Sequence, residues 1–399
     1  MNRKFTFLFF SILLVSKCIT HPPSKPEPPL AMLQHYLAPH ISEVEESQTP
    51  IVTPTTTSPG PIYNLGAVMD SGQIQCWDAG GIPLACNGTG QDGEFSNTPR
   101  PRSFTGPTQH SQYITDYTTF DNVRGLTWKS CAEGQSGPTC AGGAAMVLSY
   151  DTAVGGGAGT CAALNIQNGG NGYAGKTNWR IPTLKELASL VNISNNAPPY
   201  IETAQFPNTS TANPYVSSTS NLNVPTNIWV TDFQLAKLSA TLKNAAGNHL
   251  RCVSGNTIPN FSFVDNGNET ITDQNTNLLW TKCLNGRFDP NCMSGGNLNS
   301  MWQPALAACN VLILGGRSDW RLPNSNELLS IITYAQLPVL PPFFPNNPLL
   351  GLWTSTTDPN NSNNAQIIDA QFVEGQSLFY NKGGADGTPN SLCVTNVTP

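Results

Sequence analysis

Trp179-Arg180-Ile181-Pro182-Thr183-Leu184-Lys185-Glu186-Leu187 returns 141 positions later as Trp320-Arg321-Leu322-Pro323-Asn324-Ser325-Asn326-Glu327-Leu328. Both copies read as a short extended segment stopped by proline and followed by a helix start. Thr183 or Asn324 is placed to cap the helix, and the glutamate three residues on completes a capping-box pattern. Leu184, Leu187, Leu190 and Val191 then fall on one helical face, as do Leu328, Leu329, Ile331 and Ile332.

The neighbours of this motif recur in the same order. Asp121, Leu126, Trp128, Cys131 and Cys140 are matched by Asp273, Leu278, Trp280, Cys283 and Cys292. Cys161 precedes one Trp-Arg pair as Cys309 precedes the other. Downstream, Phe206-Pro207 is answered by Phe344-Pro345, Trp229-Val230-Thr231 by Trp353-Thr354-Ser355, and Cys252-Val253 by Cys393-Val394. A period this long exceeds any solenoid unit and has the size of a domain. The chain is an internal duplication, with repeat 1 at 101–255 and repeat 2 at 256–399.

The 399 residues include only 11% charged side chains, against roughly 25% in ordinary soluble domains. The 35 glycines and 33 prolines favour loops and short strands over long helices. Eleven cysteines without any Cys-x-x-Cys, and histidines in no zinc-finger arrangement, point to an oxidising compartment. Arg3 and Lys4 before an apolar run from Phe5 to Val15 read as an export signal too short for a permanent anchor. Cys18 follows directly, an order that resembles a bacterial lipoprotein with Cys18 as the lipidated residue and residues 1–18 as signal and lipobox. Lys17 stands where a lipobox has a small residue, so secretion with Cys18 discarded is the alternative.

Ten cysteines then remain. Sequence alone does not fix the connectivity, but the duplication constrains it, because equivalent cysteines should pair equivalently, and the expected pairs are Cys76–Cys86, Cys131–Cys140, Cys161–Cys252, Cys283–Cys292 and Cys309–Cys393. Each of the two long loops would constrain the unfolded chain by about 4 kcal/mol on the loop-entropy account.

Residues 19–61 are rich in proline and threonine and read as a solvated tether, with a possible short helix over Leu30–Leu37. Residues 62–100 hold the Cys76–Cys86 loop and Trp77, have no counterpart in repeat 2, and read as an extension packed on repeat 1. A helix fits Met301 to Leu312, with Ser300 and Gln303 as its cap and Trp302, Leu306 and Cys309 on one face. Glycines at 155–157 and 159 shorten that helix in repeat 1. After the second helix come long loops, roughly 194–226 and 335–350, and then strand-like segments. These are Asn227–Phe233, Lys237–Leu242 and His249–Val253 in repeat 1, and Gly351–Thr357, Gln366–Val373, Ser377–Tyr380 and Leu392–Val397 in repeat 2. The plan is α+β.

The Leu-x-Trp, the cysteine-bearing helix, Asp-Trp-Arg-Leu-Pro-Asn-x-x-Glu-Leu, Phe-Pro, Trp-Thr-Ser-Thr and Cys-Val together resemble the domain at the C-terminus of the Legionella collagen-like adhesin. Repeat 2 carries the whole pattern, whereas repeat 1 has Ile181 for leucine and Val230-Thr231-Asp232 after its tryptophan. The resemblance implies two tandem C-type-lectin-like domains and an extracellular adhesive role, with glycosaminoglycan attachment known for the namesake. It brings no catalytic residues and no cofactor. Glu-Pro-Asn and Trp-Asn-Asp, the calcium motifs of true C-type lectins, are absent from the sequence.

Polyanion binding needs clustered cations. The three segments 1–99, 100–255 and 256–399 carry net charges of −4, +3 and −5, so only repeat 1 could supply a patch, from Lys176, Lys185, Lys237, Lys243 and Arg251. These read as scattered solvated side chains. The recurring tryptophans read as framework, Arg180 and Arg321 as anchors of backbone or carboxylate, Glu186 and Glu327 as helix caps, and Asp121 and Asp273 as turn residues. No Gly-x-Ser-x-Gly, His-Glu-x-x-His or phosphate loop occurs, and His249 is isolated, which argues against an enzyme. Ligand contact is expected in the long loops, at Tyr200, Asn208, Tyr215, Phe343 and Asn346. The reading is an exported adhesin or recognition module on the outer-membrane surface, tethered through Cys18, with glycan or protein ligands and no nucleic acid. A structural envelope lipoprotein is the rival, and a hydrolase a remoter one.

Overall fold

In a computed structural model, which describes residues 63–336, 339–346, 351–369 and 375–398, each Trp-Arg pair lies beside the strand that closes its repeat. In repeat 1 the strands Phe104–Gln109, Tyr117–Asp121, Thr127–Lys129, Val253–Ser254 and Trp179–Arg180 form one five-stranded sheet in that spatial order. Val253 stands between Trp128 and Arg180. In repeat 2 the strands Phe263–Asp265, Thr270–Asp273, Leu278–Thr281 and Val394–Asn396 form the matching sheet. Val394 stands between Trp280 and Arg321 there. The sequence reason is the turn at Asp121 and Asp273. Each carboxylate accepts two backbone N–H bonds, and the chain reverses through Gly125 at φ 75° or Asn277 at φ 60°, residue types that tolerate this left-handed conformation.

Each repeat adds a second, three-stranded antiparallel sheet. Repeat 1 uses Tyr215–Ser220, Asn227–Asp232 and Lys237–Leu242, and repeat 2 uses Gly351–Thr357, Asn364–Asp369 and Gln376–Asn381. The helices are few and short: Tyr150–Ala153, Cys161–Leu164 and Leu184–Ala188 in repeat 1, Trp302–Asn310 and Ser325–Ile331 in repeat 2, with a further distorted turn at Gln167–Gly170. The molecule is sheet-rich and braced by Cys76–Cys86, Cys131–Cys140, Cys161–Cys252, Cys283–Cys292 and Cys309–Cys393, the pairs that the duplication implied. Cys18, the tether and the Leu30–Leu37 segment lie outside the described residues.

Three expectations need correction. First, Tyr215–Ser220 is a strand inside what reads as a long loop, and it is the counterpart of Gly351–Thr357. Ser218 and Ser355 donate their N–H groups to the carbonyls of Pro182 and Pro323. The hydroxyls of Thr219 and Thr356 accept from the backbone of Leu184 and Ser325, at the first helical residue of each capped helix. Trp353-Thr354-Ser355 therefore answers Val216-Ser217-Ser218, and Trp229, one strand further on, has no tryptophan counterpart. A shared tryptophan misled the alignment, because the alternating hydroxyls that dock the strand onto the helix carry the equivalence.

Second, the helix Trp302–Asn310 starts without the expected cap. Ser300 offers its carbonyl to Trp353 Nε1 instead, and Trp302 is held by donating Nε1 to the Thr354 carbonyl. Pro304 in the first turn has no N–H to satisfy, which lowers the need for a cap.

Third, the N-terminal extension does not pack on repeat 1 alone. Arg124 holds the Ala67 carbonyl, and Arg102 pairs with Glu202 while donating to the carbonyls of Asp70 and Ser189. Asn326, Asn324, Thr356 and Thr357 of repeat 2 bond to Met69, Thr98, Asp92 and Gln73. The segment bridges the copies because repeat 1 presents guanidinium donors to it and repeat 2 presents amides and a hydroxyl.

The repeats themselves share a core. Leu184, Ala188, Trp229 and Leu238 of repeat 1 pack with Leu329 of repeat 2, and Tyr334 stacks edge-on against Trp229 with centroids 5.4 Å apart. Complete burial of a large side chain such as Trp229 contributes roughly 2–3 kcal/mol, more than any one surface contact. Lys185 Nζ donates across the boundary to the Ser330 carbonyl at 2.7 Å, and Leu238 N to Ser377 Oγ at 2.7 Å. The described residues fall within one compact unit.

Candidate functional site

The duplicated motif is framework. Arg180 binds both oxygens of Glu186 at 2.7 Å, and Arg321 makes the same forked contact to Glu327. Each glutamate also accepts from the N-cap backbone of Thr183 or Asn324, so one carboxylate closes the capping box and the arginine fork together. Both are fully buried and fully used, which leaves them nothing to offer a ligand. Trp179 and Trp320 each donate Nε1 to the carbonyl six residues back.

The five loop residues divide. Tyr200 and Tyr215 are 1% and 0% exposed and cannot stack on a ligand. Tyr200 instead reaches the Asn360 side chain across the repeat boundary, and Tyr215 sits in a strand between Phe233 and Arg251. An aromatic flanked by Asn and Pro reads as a loop tip, but here each ring fills core space under the loop. Asn208 and Asn346 occupy equivalent positions at φ 48° and 51°. Their amides donate to the carbonyls of Cys140 and Asn291, while Gln135 and Arg287 donate back to their carbonyls. They tie the long loop to the nine-residue disulfide loop. Phe343 remains 40% exposed beside them.

The neighbouring hairpin in repeat 2 was not anticipated. Arg287–Phe288 pairs with Ser294–Gly295 around Cys283–Cys292, and it presents Phe288 at 55% and Met293 at 71% exposure. The equivalent positions in repeat 1 are Ser136 and Ala141. Aligning the two nine-residue cysteine loops would have exposed that contrast.

Two of the five basic residues are withdrawn from any surface patch. Arg251 is fully buried between the rings of Phe206 and Tyr215, with its guanidinium pKa pushed down by burial. Lys185 lines a cleft of about 470 Å³ between the repeats, open to solvent and walled by Phe261, Leu329 and Asp273. Burial lowers its amine to about 8, against the pull of the Asp273 charge. Lys129 and Glu133 form a buried pair at 3.3 Å, where burial pushes the lysine down and the glutamate up. A second cleft lies between the extension and the loop after the first capped helix, beside Trp77. The ammonium of Lys382 lies 4.2 Å from the ring centre of Trp302 and 5.6 Å from that of Trp77, and burial lowers it to about 7.

Among the described residues no group of three or more His, Cys, Asp or Glu side chains could hold a metal ion. No helix among them is long and apolar enough to cross a membrane. The family model described as the Lcl C-terminal domain matches residues 117–254 and again 269–391, together more than half of the chain. No curated protein and no solved structure matches it.

Proposed function

The chain belongs to the Lcl C-terminal domain family, which it carries twice in tandem, and from that premise we propose a non-catalytic recognition module displayed outside the cell. Each repeat is taken as C-type-lectin-like. The supporting features are a first and last strand closed in one sheet, a disulfide from the helix to the last strand, and long loops beyond. The tether of residues 19–61 serves as a stalk, with Cys18 as the lipid attachment site in an outer membrane.

The observation that carries the reading is the repeat 2 hairpin. Large apolar side chains left mostly exposed on a disulfide-braced loop are the mark of a contact surface. Phe288 and Met293 meet that description, with Phe343 on the loop tied to the hairpin. Such a surface fits attachment to a host or matrix glycoprotein. It also supports the second reading, a structural envelope lipoprotein whose hairpin packs on a neighbouring envelope protein.

The two separate in one experiment. Cells displaying the full chain or its Phe288→Ser/Met293→Ala variant are tested for adhesion to host-cell matrix, and the same cells for envelope permeability. Adhesion lost with permeability unchanged supports recognition. Unchanged adhesion with a leaky envelope would hand the function to the structural reading.

A further inference from the structure

The cleft beside Trp77 is lined wholly by uncharged residues, among them Gln75, Trp77, Ile193, Ser194, Asn196 and Pro359. It is built from three parts of the molecule: the Cys76–Cys86 extension, the loop after the first capped helix, and the turn after Gly351–Thr357 of repeat 2. We propose that this cleft is a binding site for an uncharged sugar residue, stacked on the Trp77 indole and hydrogen-bonded by Gln75, Ser194 and Asn196.

The chemistry of the walls selects that class. The side chains of Gln75, Ser194 and Asn196 and the indole N–H of Trp77 have no hydrogen-bond partner among the described residues, so donors and acceptors are both available. A charged ligand would find no counter-ion on the walls. A purely apolar one would strand the amides away from water. Ring hydroxyls donate and accept at once, and the C–H face of a pyranose matches an indole.

Trp77 is fixed as such a platform must be. Gln91 holds its backbone on both sides, accepting from the Trp77 N–H at 3.0 Å and donating to its carbonyl at 2.9 Å. Lys382, whose Nζ has no hydrogen bond, lies over the indole and sets its plane from repeat 2. Lys382 is a positioning residue, its ammonium held between the rings of Trp77 and Trp302. The site exists only where the extension and both repeats meet.

The inference rests on the recognition reading, and the two fail separately. The disulfide-intact full chain is titrated with neutral oligosaccharides ending in hexose, N-acetylhexosamine or deoxyhexose, at low and high salt. Gln75→Ala/Asn196→Ala, which changes two exposed side chains, is expected to weaken binding about tenfold, and Trp77→Ala at least as much. High salt should leave the affinity unchanged, because no ion pair forms. Binding of no neutral sugar, binding unaffected by the double variant, or binding that collapses in salt overturns the proposal. So does displacement of the sugar by a peptide of residues 22–61, which would make the cleft a dock for the tether. Adhesion that survives both cleft variants yet is lost with Phe288→Ser/Met293→Ala would sink the sugar site and leave the recognition reading standing.

Discussion

The two repeats share a clamp and differ in what surrounds it. Around the long disulfide, repeat 1 buries Lys129, Glu133 and Arg251, where repeat 2 has Thr281, Asn285 and Leu392. At the turn, Arg124 pairs with Asp121 in repeat 1, whereas Thr276 takes that place in repeat 2 and Asp273 Oδ2 has no hydrogen-bond partner. On the surface the contrast reverses, with Phe288 and Met293 exposed in repeat 2 over Ser136 and Ala141 in repeat 1. One copy buries charged groups and the other exposes apolar ones. The clamp tolerates both because its own hydrogen bonds are complete without them.

The largest effect is expected from breaking the clamp unequally. The Arg321 side chain is 5% exposed and that of Arg180 24%, so removing Arg321 strands the Glu327 carboxylate in the drier site. Arg321→Ala should cost about 3–5 kcal/mol and Arg180→Ala clearly less, read from denaturant midpoints. Equal losses would mean that the two clamps are interchangeable after all.

Next comes recasting the repeat 1 core as repeat 2. Glu133→Asn alone leaves Lys129 buried without its partner and should cost about 3 kcal/mol. Adding Lys129→Thr should recover part of that loss, since both residues then match their counterparts. A double variant that loses the sum of the two singles would show the pair to be uncoupled.

A smaller, pH-dependent effect is expected where the extension meets repeat 2. Asp92 accepts from Ser71 and Thr356, and burial together with the Asp70 charge raises its carboxyl to about 8. A raised acid contributes stability that is complete below its unfolded value near 4 and is lost as pH climbs to about 8. Asp92→Asn should therefore stabilise the chain more at pH 8 than at pH 5, as read in thermal melts. A gain independent of pH would remove ionisation as the cause.

The smallest effect on folding belongs to the surface. Phe288→Ser and Met293→Ala give repeat 2 the hairpin of repeat 1 and should change stability by less than about 0.5 kcal/mol. A larger loss would show that these side chains pack inward and form no contact surface.

Much of the fold was legible in the chain. The capping boxes and the turn aspartates are local, and the duplication narrows the disulfide pairs, whereas the sequence left open whether Arg180 and Arg321 hold backbone or a carboxylate, and only the structure pairs them with Glu186 and Glu327. The site was far less so. Of the five loop residues singled out, Tyr200 and Tyr215 went into the core, and Asn208 and Asn346 hold the disulfide loops in place. Trp77 gave no signal, because an unrepeated residue in a glycine-rich stretch has nothing to be compared with.

The sequence by itself determined the duplication and the capping boxes and constrained the pairing of the cysteines, because each depends on residues whose relation is fixed along the chain. Only the tertiary structure decided that Trp229 seals one repeat against the other, that the extension bridges both, and that an uncharged cleft opens beside Trp77. Those features rest on which surfaces meet. Surfaces meet according to shape and burial summed over distant segments, and no window of residues carries that sum.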